Sequence, residues 1–370
     1  MNKLTLLFSG KRGGGITDLT NIINGFIGNE NTQTRLSVIT LRRFSHLEEL
    51  CSKNNISYSY TTAECNNIIK EFCVNIIFIL TITKNIFFAK NLIFTMTHPN
   101  LLFLPLYRLI SFFTNCRLYY IRHNPTGFRH VTNSLKNILI VLTDYIASMF
   151  SHRLLFFSRN VLQCFEQSLY KDKLYYIGLG INSFNKITST PCSQSTQTFI
   201  FFGRCLPYKG LDILIEALNL INDRSLNLIV ASNSIPMEHM NKLSKLKDKH
   251  TIDIFNEWLD DDRLDILFKK SSCAILPYRE ISQSGPVLTS MGYNIPIIAS
   301  NLAGVKEYLT DLEDSLLFIS EDPVSLKEKI LLFNDSADIQ NKLRKGIIST
   351  AKKFSWKNVS INIENLTTDD

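Results

Sequence analysis

The strongest constraint on this chain is a pattern that occurs twice: a short apolar run, a turn bearing glycine, then a helical periodicity. Residues 4–8 are apolar, Ser9-Gly10 and Gly13-Gly14-Gly15 follow, Thr17-Asp18 reads as a helix cap, and residues 19–27 carry helical spacing. Near the middle, residues 199–202 are apolar, residues 203–210 form a loop with glycine at each end, and residues 211–221 are helical. Strand, turn and helix in that order open an α/β domain. Further strand-like runs lie at 35–40, 74–80, 118–121, 154–157 and 174–177, then at 226–232, 251–255, 273–276 and 296–299. Such alternation with helical patterns predicts parallel sheets covered on both faces. Between the halves, residues 188–198 read TSTPCSQSTQT, polar and without an apolar face. The expected layout is a first domain over 1–187, a linker over 188–198, a second domain over 199–350 and a C-terminal helix over 351–370 that crosses back to the first domain. Open α/β sheets bind ligands at the carboxyl ends of their strands, so two such domains predict a cleft between them.

Charge is divided along the chain. Residues 1–190 hold 20 Lys and Arg against 9 Asp and Glu, and residues 191–370 hold 20 against 24, which together give the net +7. The basic half predicts an anionic partner, and a membrane surface fits it. Nucleic acid is not expected, because the Phe and Tyr residues lie in apolar runs instead of interleaving with cations for base stacking. The eight cysteines form no C-x-x-C pair and no histidine pair has zinc spacing, so no zinc site is expected, and no cofactor is expected besides the substrate. Buried reduced thiols fit a cytoplasmic setting. Residues 91–113 and 138–157 are the most apolar stretches, but prolines and charged residues interrupt both. A chain lying on the inner face of the cell membrane is expected, with residues 97–110 as a segment able to rest on it.

The loop FFGRCLPYKGLDILIEAL brings Arg204, Lys209 and a helix start into one small volume. All three favour an anion, and a diphosphate is the natural one. Glycines at Gly14 and Gly15 let backbone approach a ligand at the first strand–helix turn, but they do not fit the dinucleotide pattern G-x-G-x-x-G. His123, in YYIRHNPTGFRH, follows a strand and stands at the expected edge of the cleft; Arg122, Arg129 and His130 are candidates for an acceptor phosphate.

The residues Gly203, Arg204, Lys209, Gly210, Asp212, Leu214, Ile215, Glu216 and Ala217 resemble the signature of the group 1 (family 4) glycosyltransferases, retaining enzymes of GT-B fold with two Rossmann-like domains facing across a cleft. SQSGPVLTSMGYNIPIIASNLAGVKEYL resembles the family's second signature through Pro296–Ser300 and Gly304-x-x-Glu307, with Ser284-Gly285 where Phe-Gly usually stands. The family's glutamate pair is missing: Ser282 takes the first place, and Thr289 or Ser290 the second. Their hydroxyls can supply part of that hydrogen bonding without the charge. The resemblance further implies base contacts near Asn256 and Leu259, a donor-side role for His123, and closure by Phe354-Ser355-Trp356. It implies transfer from a UDP- or GDP-linked sugar to a lipid-linked or oligosaccharide acceptor, with Arg204 and Lys209 holding the diphosphate and no metal. O-antigen or capsule assembly is the setting it suggests. The alternative is a GT-B protein that binds a nucleotide sugar or a partner without catalysis.

Overall fold

The computed structural model describes residues 2–10, 14–62, 68–123, 135–181, 197–281 and 285–369. The chain forms two compact units, Met1–Gly180 with Trp356–Asp370, and Ile181–Ser355. The strands of the first are β1 (Asn2–Phe8), β2 (Thr34–Arg42), β3 (Ser57–Thr62), β4 (Asn91–Phe94), β5 (Arg117–Ile121), β6 (Arg153–Phe156) and β7 (Leu174–Tyr176). They pair in parallel in the order β3-β2-β1-β4-β5-β6-β7. Its helices are α1 (Gly14–Ile27), α2 (Ser45–Lys53), α3 (Ile68–Ile86), α4 (Leu104–Thr114), α5 (Leu135–Phe150) and α6 (Arg159–Gln163).

The second unit holds β8 (Thr198–Phe202), β9 (Asn227–Ala231), β10 (Thr251–Phe255), β11 (Cys273–Leu276), β12 (Ile297–Ser300) and β13 (Ser315–Phe318), in the parallel order β10-β9-β8-β11-β12-β13. The intervening helices are α7 (Leu211–Asn219), α8 (Met237–Leu246), α9 (Asp261–Lys269), α10 (Gly285–Gly292), α11 (Ala303–Lys306), α12 (Pro323–Asp335) and α13 (Ala337–Ala351). Both sheets follow the doubly wound 3-2-1-4-5-6 order, so each has a switch point, between β1 and β4 and between β8 and β11, where the carboxyl ends form a crevice. The central strands are largely apolar because helices cover both faces; β11 and β12 are buried at every position.

Helix α14 (Trp356–Asp369) belongs to the first unit and packs on α1. A Cβ on Gly25 would stand 2.1 Å from the Trp356 carbonyl oxygen, so glycine is what allows the two backbones to meet. Glu364 accepts hydrogen bonds from Thr32 Oγ1 at 2.9 Å, the Gln33 amide at 2.9 Å and Thr34 Oγ1 at 2.7 Å. These fix α14 to the start of β2.

Residues 74–80, read as a strand, lie within α3. Phe78, Ile82 and Ile86 recur at helical spacing and face the core, and a seven-residue apolar window hides that period. The edge strand β3 is polar and half-exposed, which concealed it, while β4 and β13 span four residues each. Thr17 and Asp18 lie inside α1 and do not cap it. Asp260 does cap α9, accepting from the Arg263 amide at 2.9 Å. The linker read at 188–198 lies outside the described residues up to 196, and Thr198 already opens β8. Among the described residues no helix is long and apolar enough to cross a membrane.

Candidate functional site

In the second unit, β8 delivers its chain to the switch point and then turns sharply. Gly203 has φ +99°, a region open to glycine and strained for other residues. Its amide donates to the Ala231 carbonyl at 3.0 Å, and its carbonyl accepts from Ser232 Oγ at 2.6 Å. Pro207–Lys209 forms one 3₁₀ turn, closed by Gly210 at φ +69°. A Cβ on Gly210 would lie 1.8 Å from the Pro277 carbonyl oxygen, so the loop can seat on the exit of β11 only with glycine there.

This turn carries Lys209 inward, leaving it 7% exposed. Its Nζ donates to Tyr278 Oη at 2.8 Å and stands 4.5 Å from that ring's centroid. Among the described residues no carboxylate lies within salt-bridge distance of it. Burial pushes its pKa from the ordinary 10.5 down to about 8. Arg204 is exposed and makes no hydrogen bond or ion pair among the described residues; its positive charge lowers the pKa of the nearby Tyr208 hydroxyl against the larger effect of burial. Two cations at the end of a switch-point strand, neither in a salt bridge among the described residues, favour an anion, although the charge of Glu280 also reaches Tyr208.

Arg279, which no sequence motif picks out, holds this arrangement together. It grips Asp212 through two hydrogen bonds of 2.9 and 2.5 Å and donates to the Pro207 carbonyl at 2.8 Å. Its own amide donates to the Tyr208 carbonyl at 2.8 Å. The first turn of α7 is thus joined to the 3₁₀ turn and to β11. The only sequence signal is position: Tyr278 and Arg279 follow directly on the apolar run 273–276.

Helix α10 begins near the same switch point, after β11. Gly285, its first residue, is exposed, and a Cβ there would meet nothing within 4 Å. Ser282 and Ser284 lie outside the described residues. Of the two positions offered for the second glutamate, Ser290 is corrected: it is buried and its hydroxyl donates to the Pro286 carbonyl at 3.0 Å. Thr289 is half-buried and keeps its place among the candidates. Asn256 is engaged structurally, its Oδ1 accepting from the Ile235 amide at 3.0 Å, and Leu259 is half-buried. Between them Trp258, not singled out from sequence, is an exposed aromatic at the carboxyl end of β10.

In the first unit, Gly14 and Gly15 open α1, the helix that follows β1. A Cβ on Gly15 would stand 3.1 Å from the Phe8 ring. His123, two residues beyond β5, donates from Nε2 to the Thr95 carbonyl at 2.9 Å, which leaves Nδ1 facing Asp18 Oδ2 at 4.0 Å. Burial raises the Asp18 pKa to about 6 against the opposing pull of His123. The exits of β4 and β5 and the start of α1 therefore meet at an Asp–His pair, where the sequence alone suggests a helix cap. Arg122 is corrected as an acceptor candidate: it is buried, pairs with Asp144 at 2.6 Å and lies over Phe165. Arg129 and His130 lie outside the described residues.

Residues 196–334 match the family model described as glycosyl transferases group 1. A curated relative, an uncharacterized glycosyltransferase of Methanocaldococcus jannaschii, is 27% identical over 170 residues, covering 43% of this chain and 44% of that protein. The chain thus spans under half the length of that relative. A glycosyltransferase of Rickettsia africae superposes with TM-score 0.72 at 16% identity, covering 100% of this chain and 98% of that one. Anabaena HepE, solved in complex with UDP, superposes with TM-score 0.71 at 15% identity over 100% of both chains. Residues 196–334 are thus similar to the group 1 glycosyltransferases, in a chain of two parallel α/β units with the GT-B fold.

Proposed function

We propose that this protein is a glycosyltransferase that takes a sugar from a nucleoside diphosphate donor. The observation that carries the reading is Lys209, a buried ammonium with no carboxylate beside it, next to the exposed Arg204 at the end of β8. The group 1 segment and the UDP-bound fold relative support a nucleotide sugar as the ligand.

In the proposed reaction Arg204, Lys209 and the amides opening α10 take up the charge that develops on the departing diphosphate. Preorganised charge of this kind commonly contributes more to catalysis than any other effect, and here it takes the role a metal would otherwise fill. Transfer proceeds on one face of the sugar with retention, the leaving diphosphate accepting the proton of the acceptor hydroxyl. The same reading gives His123 a role near the donor sugar. The acceptor is a lipid-linked saccharide or an oligosaccharide of surface polysaccharide assembly, met at the inner membrane face.

Calorimetric titration with UDP, GDP and their sugars tests the reading. One nucleoside diphosphate should bind, and Arg204→Ala should weaken it by about tenfold or more. If none binds, the transferase reading fails. The second reading, a binding protein without catalysis, is motivated by Ser282 and Thr289 standing where glutamates are expected. Tight donor binding with no turnover of any lipid-linked or oligosaccharide acceptor would favour it.

A further inference from the structure

Helices α3, α4 and α5 cover one face of the first sheet side by side, and each is apolar on both sides. Phe78 of α3, Tyr107 of α4 and Ala147 of α5 are buried toward the sheet. On the opposite side of each helix, Phe72 and Leu80, Leu109 and Phe113, and Ile138 and Leu142 are exposed. Phe112 and Phe113 are 80% and 78% exposed, and Phe88, just beyond α3, is 68% exposed. The second unit also has exposed apolar residues, but its helices show no such run. Three adjacent helices with exposed apolar sides form an apolar patch that asks for a partner.

The charge around this face identifies the partner. Between Glu71 and Asp144 the chain contains seven Lys and Arg and no Asp or Glu, and of these cations Arg122 is buried in its ion pair with Asp144. The cations gather where the helices end and the strands begin. Lys84 stands in the last turn of α3, Lys90 precedes β4 and Arg117 opens β5. Arg108, Arg117 and Lys173 act together on His152, which burial and these charges push down to about 4. A second copy of the chain docked face to face would bring the exposed Lys84, Lys90 and Arg108 against their own counterparts. An anionic lipid surface offers both hydrocarbon and phosphate.

We propose that the outer face of α3, α4 and α5 docks on a bilayer carrying anionic headgroups, its aromatic and aliphatic side chains entering the interface while Lys84 and Lys90 meet lipid phosphates. No helix of the described residues can span the bilayer, so the unit lies on it. This deepens the membrane part of the proposed function, but its test uses no nucleotide.

The full chain is floated with vesicles of phosphatidylcholine, alone or with about a third phosphatidylglycerol. Binding should be at least about tenfold tighter to the anionic vesicles, and Phe112→Ser with Phe113→Ser should weaken it by about tenfold or more. Lys84→Glu with Lys90→Glu should remove the preference for anionic vesicles. All four side chains are exposed, so these variants should fold and bind a nucleoside diphosphate as the parent does. The proposal is overturned if the parent binds neither vesicle, or if the phenylalanine pair leaves binding unchanged. It is also overturned if the parent sediments as a dimer that the phenylalanine pair dissociates, since the face would then belong to a second copy. Vesicle failure with nucleotide binding intact would leave the transferase reading standing.

Discussion

Lys209 should take up a proton when a nucleoside diphosphate binds. In the empty protein its ammonium is buried against Tyr278 with no carboxylate, which depresses its pKa from 10.5 to about 8. That difference corresponds to about 3 kcal/mol disfavouring the charged form. A bound diphosphate supplies the missing negative charge and restores the ordinary pKa. Uptake should then be about 0.1 proton at pH 7, about 0.5 at pH 8 and about 0.9 at pH 9. Above pH 8 the affinity should fall by up to about tenfold per pH unit, until both states are neutral. The phosphates of the nucleotide are already fully ionised there, since a terminal phosphate titrates near about 6. Calorimetry in buffers of different ionisation enthalpy measures the uptake directly. Lys209→Met should bind more weakly and show none of the rise between pH 7 and 9. The same variant should be more stable than the parent without ligand at pH 7, because it removes a buried unpaired charge. In the parent, stability should rise between pH 8 and 10.5, where the folded chain sheds the proton before the unfolded one does. Equal uptake by Lys209→Met and the parent would refute the assignment.

Gly25→Ala should destabilise the first unit by about 2 kcal/mol or more, although alanine gains about 1 kcal/mol in an ordinary helix, because its Cβ would run into the Trp356 carbonyl. Urea unfolding measures this, and a neutral or stabilising result would contradict the α1–α14 packing. Arg279→Gln should weaken nucleoside diphosphate binding by about tenfold without unfolding the protein, since it frees both Asp212 and the turn that positions Lys209; calorimetry beside circular dichroism would show both. Asp18, raised from 3.8 to about 6, binds its proton more tightly in the folded chain, so stability should fall as pH rises through that window. Asp18→Asn should lack that fall in thermal melts taken from pH 4 to 7 and should gain up to about 2 kcal/mol at pH 7.

Local chemistry was readable from the residues alone. Gly203, Gly210 and the apolar run before them announce a strand, a tight turn and a helix, because φ values of +99° and +69° and an approach of 1.8 Å leave room for glycine only. Arg204 and Lys209 are near in sequence, so their gathering at one loop needed no fold to be foreseen. Side-chain environment was not readable in this way. Tyr278 lies 69 residues from Lys209, and the shift in the Lys209 pKa exists only because two adjacent parallel strands bring these segments together. Asp18 meets His123 across the exits of three elements, and Ser290 turns inward through the helical phase of α10. Residues 74–80 look like a buried strand in isolation, and only the sheet beneath α3 decides which of its residues face the core and which remain exposed. Composition, turns and charge are properties of neighbours along the chain and were set by the sequence directly. Burial, pairing and pKa depend on neighbours across space, and those were settled by the order in which the strands pack.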